Sequence, residues 1–204
     1  MNTTVLPRGY DAVRSVDLRG NKKLSLWVHL LALVLAALML LLAPRSTVLT
    51  GFLPSHSPFW WVRVLALLGG VGLYLLLHVL VHGLCIRRFA KVRPRYGFSG
   101  LFAYAGSAEA YFDRRSYLIL TLAPVITLGF LLFVGQLVVP WDWFWVLYLL
   151  QVCNVASAAW DLYCILVVVR QPRTLLVRDD GVSMTLYLPA SAPEDQSAAK
   201  PPAR

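Results

Sequence analysis

Leu75-Leu76-Leu77-His78-Val79-Leu80-Val81-His82-Gly83-Leu84 sets two histidines four residues apart in a run that is otherwise almost wholly apolar. Residues i and i+4 of a helix stack on one face, so both imidazoles point the same way. At that spacing they can share one metal ion. The surrounding segment, residues 62–84, carries no charge after Arg63. It is long enough to cross a bilayer, at roughly 20 residues per crossing.

The composition agrees with a membrane protein. The chain has 204 residues, is 58% hydrophobic and only 14% charged, with a mean hydropathy of +0.65. Soluble domains carry roughly a quarter charged residues. The expected fold is therefore an all-α integral membrane protein with one compact bundle of four transmembrane helices. The spans fall at about residues 24–43, 62–84, 117–139 and 144–169 within a membrane domain of residues 24–170. Residues 24–43 exceed the usual apolar core of a signal peptide and lack a clean small-x-small site after it, so they read as an uncleaved span.

Between the spans lie a loop ending in Phe59-Trp60-Trp61, which suits an interfacial aromatic belt, a basic loop of residues 87–115, and a short turn at Pro140 to Trp143. Residues 1–23 form a polar N-terminal segment. Residues 171–188 read as a small β-hairpin about Asp180-Gly181, and residues 189–204, rich in Ala, Pro and Ser, as a disordered tail.

Charge fixes the expected orientation. The N-terminal segment, the 87–115 loop and the C-terminal tail hold 17 of the 19 Lys and Arg, and the opposite loops hold only Arg45 and Arg63. The positive-inside rule then places both termini in the cytoplasm, with the chain in the cytoplasmic membrane. The net charge of +9 is thereby explained by the bilayer, with no nucleic-acid partner. Cys85, Cys153 and Cys164 are an odd count in or beside apolar segments, so each reads as a small buried hydrophobe rather than half of a disulfide.

Two histidines need at least a third ligand to hold a metal. The fourth span offers Gln151, Asn154, Ser157 and Asp161 as a polar stripe, and Asp161 is the one carboxylate within any span. A carboxylate in hydrocarbon is costly unless paired or ligating, which makes it a functional residue by default. His78 lies nine residues before Arg87, and Asp161 nine before Arg170. At about 1.5 Å per residue each sits roughly 13 Å inside the cytoplasmic boundary. The alternative is a hydrogen-bond network of His78, His82, Ser157 and Asp161 that holds the bundle together without metal. Haem fits poorly, because His78 and His82 cannot reach opposite faces of one haem and His29 and His56 are badly placed to help.

The His-x-x-x-His spacing is the metal half of the His-Glu-x-x-His zinc-protease motif, whose glutamate is the general base. Here that position is Val79. With Tyr96-Gly97-Phe98, Tyr104-Ala105 followed by Glu109, Tyr117 with Leu122-Ala123-Pro124, and Asn154 with Asp161, the ordered set resembles the small membrane-embedded zincin peptidases of bacteria, distant relatives of the site-2 protease. The resemblance implies zinc held by His78, His82 and Asp161, with Asn154 and Ser157 orienting a substrate or supporting the ligands. Loss of a general base commonly costs roughly 10²–10⁴ in rate. The expectation is thus a degenerate, zinc-binding relative that binds a membrane segment or partner without cleaving it. The alternatives are an active metallopeptidase that uses another base, for which Glu109 is the candidate, and a metal-free structural membrane protein.

Overall fold

A computed structural model describes residues 2–43, 59–99 and 102–190. The loop at 44–58, with Arg45 and His56, and residues 191–204 of the expected tail lie outside the described residues.

Apolar segments form the helices the hydropathy predicts. They are α1 (Lys22–Leu41), α2 (Trp60–Ala90), α3 (Arg114–Val138), α4 (Trp141–Ser157) and α5 (Ala159–Val169). Three of them are long and apolar enough to cross a membrane, and four crossings result if α4 and α5 count as one bent span. Leucines, valines and phenylalanines are exposed on the outer faces of these helices. The helix starts follow local chemistry: Asn21 accepts from the Leu24 N–H before α1, and Asp113 accepts from the Ser116 N–H before α3.

The fourth apolar stretch is not one straight helix. It breaks at Ala158 and bends by 40°. The Ser157 hydroxyl donates to the Asn154 carbonyl at 3.2 Å, and such back-bonding competes with the helix ladder and bends it. Asp161 sits in the first turn after the break.

The all-α expectation is corrected by a five-stranded antiparallel sheet. Its strands are β1 (Tyr10–Asp17), β2 (Arg95–Ser99), β3 (Phe102–Asp113), β4 (Leu176–Asp179) and β5 (Ser183–Pro189), in spatial order β1-β5-β4-β3-β2. The expected C-terminal hairpin is present as β4 and β5, but it forms the centre of a larger sheet. The N-terminal segment supplies β1, paired with β5 from Tyr10↔Pro189 to Asp17↔Ser183. The basic 87–115 stretch supplies the end of α2, then β2 and β3.

A core of Val16, Ile86, Phe112, Tyr117, Cys164, Val168, Leu175, Val177, Met184 and Leu186 joins the sheet to the ends of α2, α3 and α5. The β4–β5 turn is pressed against β3. A Cβ at Gly106 would overlap the Asp180–Gly181 peptide, and Gly181 itself takes φ +95°. Both positions require glycine.

Candidate metal centre

Tyr74, His78 and His82 lie one turn apart along α2, facing the bend between α4 and α5. His78 and His82 are buried, and their Nε2 atoms stand 3.5 and 3.6 Å from Asp161 Oδ2. All three potential ligand atoms lie within 4.8 Å of one another. These separations are long for hydrogen bonds. They match the edges of a tetrahedron around zinc, about 3.3–3.6 Å for bonds of about 2.0–2.2 Å. Two imidazoles and one carboxylate leave the fourth position open, which is the donor set of a catalytic rather than a structural zinc site. The residues present therefore fit zinc, with His78, His82 and Asp161 as the residues that would hold it.

The far side of each imidazole is also organised. His78 Nδ1 is 2.9 Å from the Tyr74 hydroxyl, which is 2.5 Å from Ser157 Oγ, and Ser157 donates onward to the Asn154 carbonyl. One direction of donation satisfies the whole chain: His78 Nδ1–H to Tyr74, Tyr74 to Ser157, Ser157 to the backbone. That direction leaves the His78 Nε2 lone pair free for a metal. His82 Nδ1 lies against the Leu120 carbonyl without closing a hydrogen bond of normal geometry. Pro124 has no N–H to offer that carbonyl, so α3 presents an acceptor where an intact helix would not.

The structure brings His78, His82, Asp161 and Ser157 together around one cavity. Asn154 does something else. It is buried, its amide donates to the Val125 carbonyl at 3.0 Å, and it packs against Gly129 of α3. It is not among the residues that line the cavity over the ligands. Glu109 is exposed on β3, where it pairs with Arg95 at 3.2 Å, and it too stands away from the cavity. His29 is spent on the Ser25 carbonyl of its own helix at 2.6 Å. All three cysteines are unpaired, and Cys164 is buried in the core.

Two residues escaped the sequence reading. Tyr74 carried a legible signal, because it precedes His78 by the same four residues that separate the histidines. Asp179 carried none. It ends β4, and its side chain lines the cavity shared by His78, His82 and Asp161. Its Oδ2 accepts from the Tyr117 hydroxyl and its Oδ1 from the Gly181 N–H at 2.7 Å. Burial raises its pKa to about 6, aided by neighbouring Asp180 and opposed by the Tyr117 and Gly181 hydrogen bonds and by His82.

Replacing Tyr74 by phenylalanine keeps the ring and removes the hydroxyl that fixes His78. Loss of such a partner typically costs 10- to 100-fold in metal affinity. A weakening of about tenfold is expected for Tyr74→Phe, read by competition against a chromophoric zinc chelator.

No curated protein and no solved structure matches this chain. A family model described as "putative zincin peptidase" does match, over residues 71–176. That region takes in Tyr74, His78, His82 and Asp161 and covers half of the chain, and on this match, with the ligand geometry that accompanies it, the chain belongs to the putative zincin peptidase family.

Proposed function

We propose that this chain is an integral protein of the cytoplasmic membrane that holds zinc through His78, His82 and Asp161 and binds a membrane polypeptide segment beside the metal. The observation that carries the reading is the Asp161 carboxylate oxygen at 3.5 and 3.6 Å from two imidazole nitrogens, with all three atoms within 4.8 Å of one another inside apolar helices. Zinc supplies Lewis acidity when bound. The three side chains that would hold it line one cavity.

The orientation rests on two independent features. One is the 17-to-2 split of Lys and Arg across the two sides. The other is the sheet. Strands before α1, between α2 and α3, and after α5 all share it, so the helices between consecutive strands must go out and return. Out-and-back pairs of α1 with α2, and of α3 with the bent α4–α5, put the sheet and both termini on the cytoplasmic side. The lipid bilayer is then the constant partner, and nucleic acid is not one.

Val79 closes the usual zincin route, because no carboxylate follows the first histidine on α2. The helices alone thus build a binding site, not a hydrolytic one. The test is the zinc content of protein purified without a metal-affinity tag. About one zinc per chain, lost in His78→Ala, is the expected result, and a metal-free wild type of normal fold would overturn the reading in favour of a structural hydrogen-bond cluster.

A further inference from the structure

We propose that Asp179, delivered by the β4–β5 hairpin, is the proton-accepting carboxylate of this centre and makes it a hydrolase despite Val79. The inference rests on the zinc reading above and goes beyond it, because a site with an acceptor does more than bind.

The geometry is specific. Among the described residues lining the cavity, the carboxylates are Asp161 and Asp179. Asp161 is within ligand reach of both histidines, whereas Asp179 is not part of the group whose ligand atoms lie within 4.8 Å of one another. It lines the same cavity from the end of β4 without joining that group, as befits a base acting on a water rather than on the metal. Val79 is itself buried and does not line the cavity. Asp179 also lies beyond residues 71–176, so the acceptor comes from outside the family match.

Its surroundings suit the task. The Tyr117 hydroxyl and the Gly181 N–H hold one carboxylate oxygen each, which fixes the group while leaving each oxygen a further lone pair. The titratable groups around it are Tyr117 of α3, Cys164 of α5, His82 of α2 and its neighbour Asp180. Gly106 lets the turn approach β3 closely enough to seat Asp179 over the helices.

The reaction class is hydrolysis of a peptide bond. Asp179 takes one proton from a cavity water as the water oxygen bonds to the carbonyl carbon. The carbon–nitrogen bond then breaks, and Asp179 returns the proton to the departing nitrogen. One water is consumed, and one carboxyl and one amine are formed.

The test is a proton inventory that needs no knowledge of the substrate. Acetohydroxamic acid binds zinc through its deprotonated oxygen, and its proton must go either to an acceptor in the site or to the buffer. The full chain in detergent, with its zinc content measured, is titrated calorimetrically at pH 7 in two buffers of different ionisation enthalpy. Wild type should release almost no proton, Asp179→Asn about one per hydroxamate bound, and Asp179→Asn with Val79→Glu almost none again. Release of about one proton by zinc-loaded wild type would overturn the proposal by itself, so it stays testable even where Asp179→Asn fails to fold. Equal release by wild type and Asp179→Asn, both zinc-loaded, would overturn it too. A wild type without zinc would remove the metal reading, and this inference with it.

Discussion

Asp161→Ala and Asp161→Asn should both lose zinc, with affinity falling about 10²–10³-fold. The magnitude follows from the 10–16 kcal/mol of four-ligand zinc sites, or about 3 kcal/mol for each ligand. Asparagine has the volume of aspartate and retains a carbonyl oxygen, but without charge it is a poor zinc ligand. The two variants separate ligation from packing. Asp161 is largely enclosed, and its Oδ2 faces two histidine nitrogens. Were its role only to bridge those rings, asparagine would preserve much of the network and any bound metal would survive. Parallel zinc losses in both variants, with the metal-free unfolding midpoint of Asp161→Asn close to wild type, are the expected pattern. Retention of zinc by Asp161→Asn would remove Asp161 from the ligand set.

The second large effect has the opposite sign for stability. Asp179→Asn should stabilise the protein at neutral pH. Burial raises the Asp179 pKa from 3.8 to about 6, so the folded state prefers the protonated form. A raised carboxyl pKa adds stability that is fully present below the unfolded value and is lost as pH climbs through about 6. At pH 7 the charged group therefore opposes folding, by at most about 3 kcal/mol for a rise of this size. Asparagine removes that charge but weakens the hydrogen bonds from Tyr117 and Gly181, so about 1–2 kcal/mol is the net expectation. Thermal unfolding in detergent from pH 4 to 8 checks it. The midpoint of wild type should fall relative to that of Asp179→Asn as pH rises from about 4 to 7, and the two should converge at the acid end. Parallel curves would mean that Asp179 is ordinarily solvated.

A base that opposes folding at working pH is the usual compromise of a functional carboxylate. Its place in the chain conceals it. Asp179-Asp180-Gly181 reads as turn chemistry, and Asp180 does serve the turn, accepting from the Val182 and Ser183 N–H groups. Nothing local distinguishes the aspartate that builds the turn from the one that faces the cavity.

The helices and the cluster of His78, His82 and Asp161 were legible for physical reasons. A bilayer imposes a length on each span, and an ionisable group inside one is conspicuous. His78, His82 and Asp161 therefore announced themselves. Beyond the β4–β5 hairpin the sheet was not legible, because β1 lacks the alternation that marks a strand. In β1, Val16 is the buried residue in a strand that is otherwise mostly exposed, and its partner β5 lies at the other end of the chain. Among basic residues, β2 and β3 read as loop. The break at Ala158 has no proline or glycine to mark it. Asn154, polar within an apolar helix, looked like a site residue, but its contacts tie α4 to α3 through the Val125 carbonyl.

The pairing of Tyr10 with Pro189 dictates an order of assembly. Helical hairpins can enter the bilayer as they leave the ribosome, but β1 must wait for almost the whole chain before β5 exists to receive it. Contacts of such sequence separation form late. His78, His82 and Asp161 are thus in place while the sheet beside them is still incomplete. Asp179 arrives with the hairpin that closes it, so in a nascent or truncated chain His78, His82 and Asp161 can meet before Asp179 joins them.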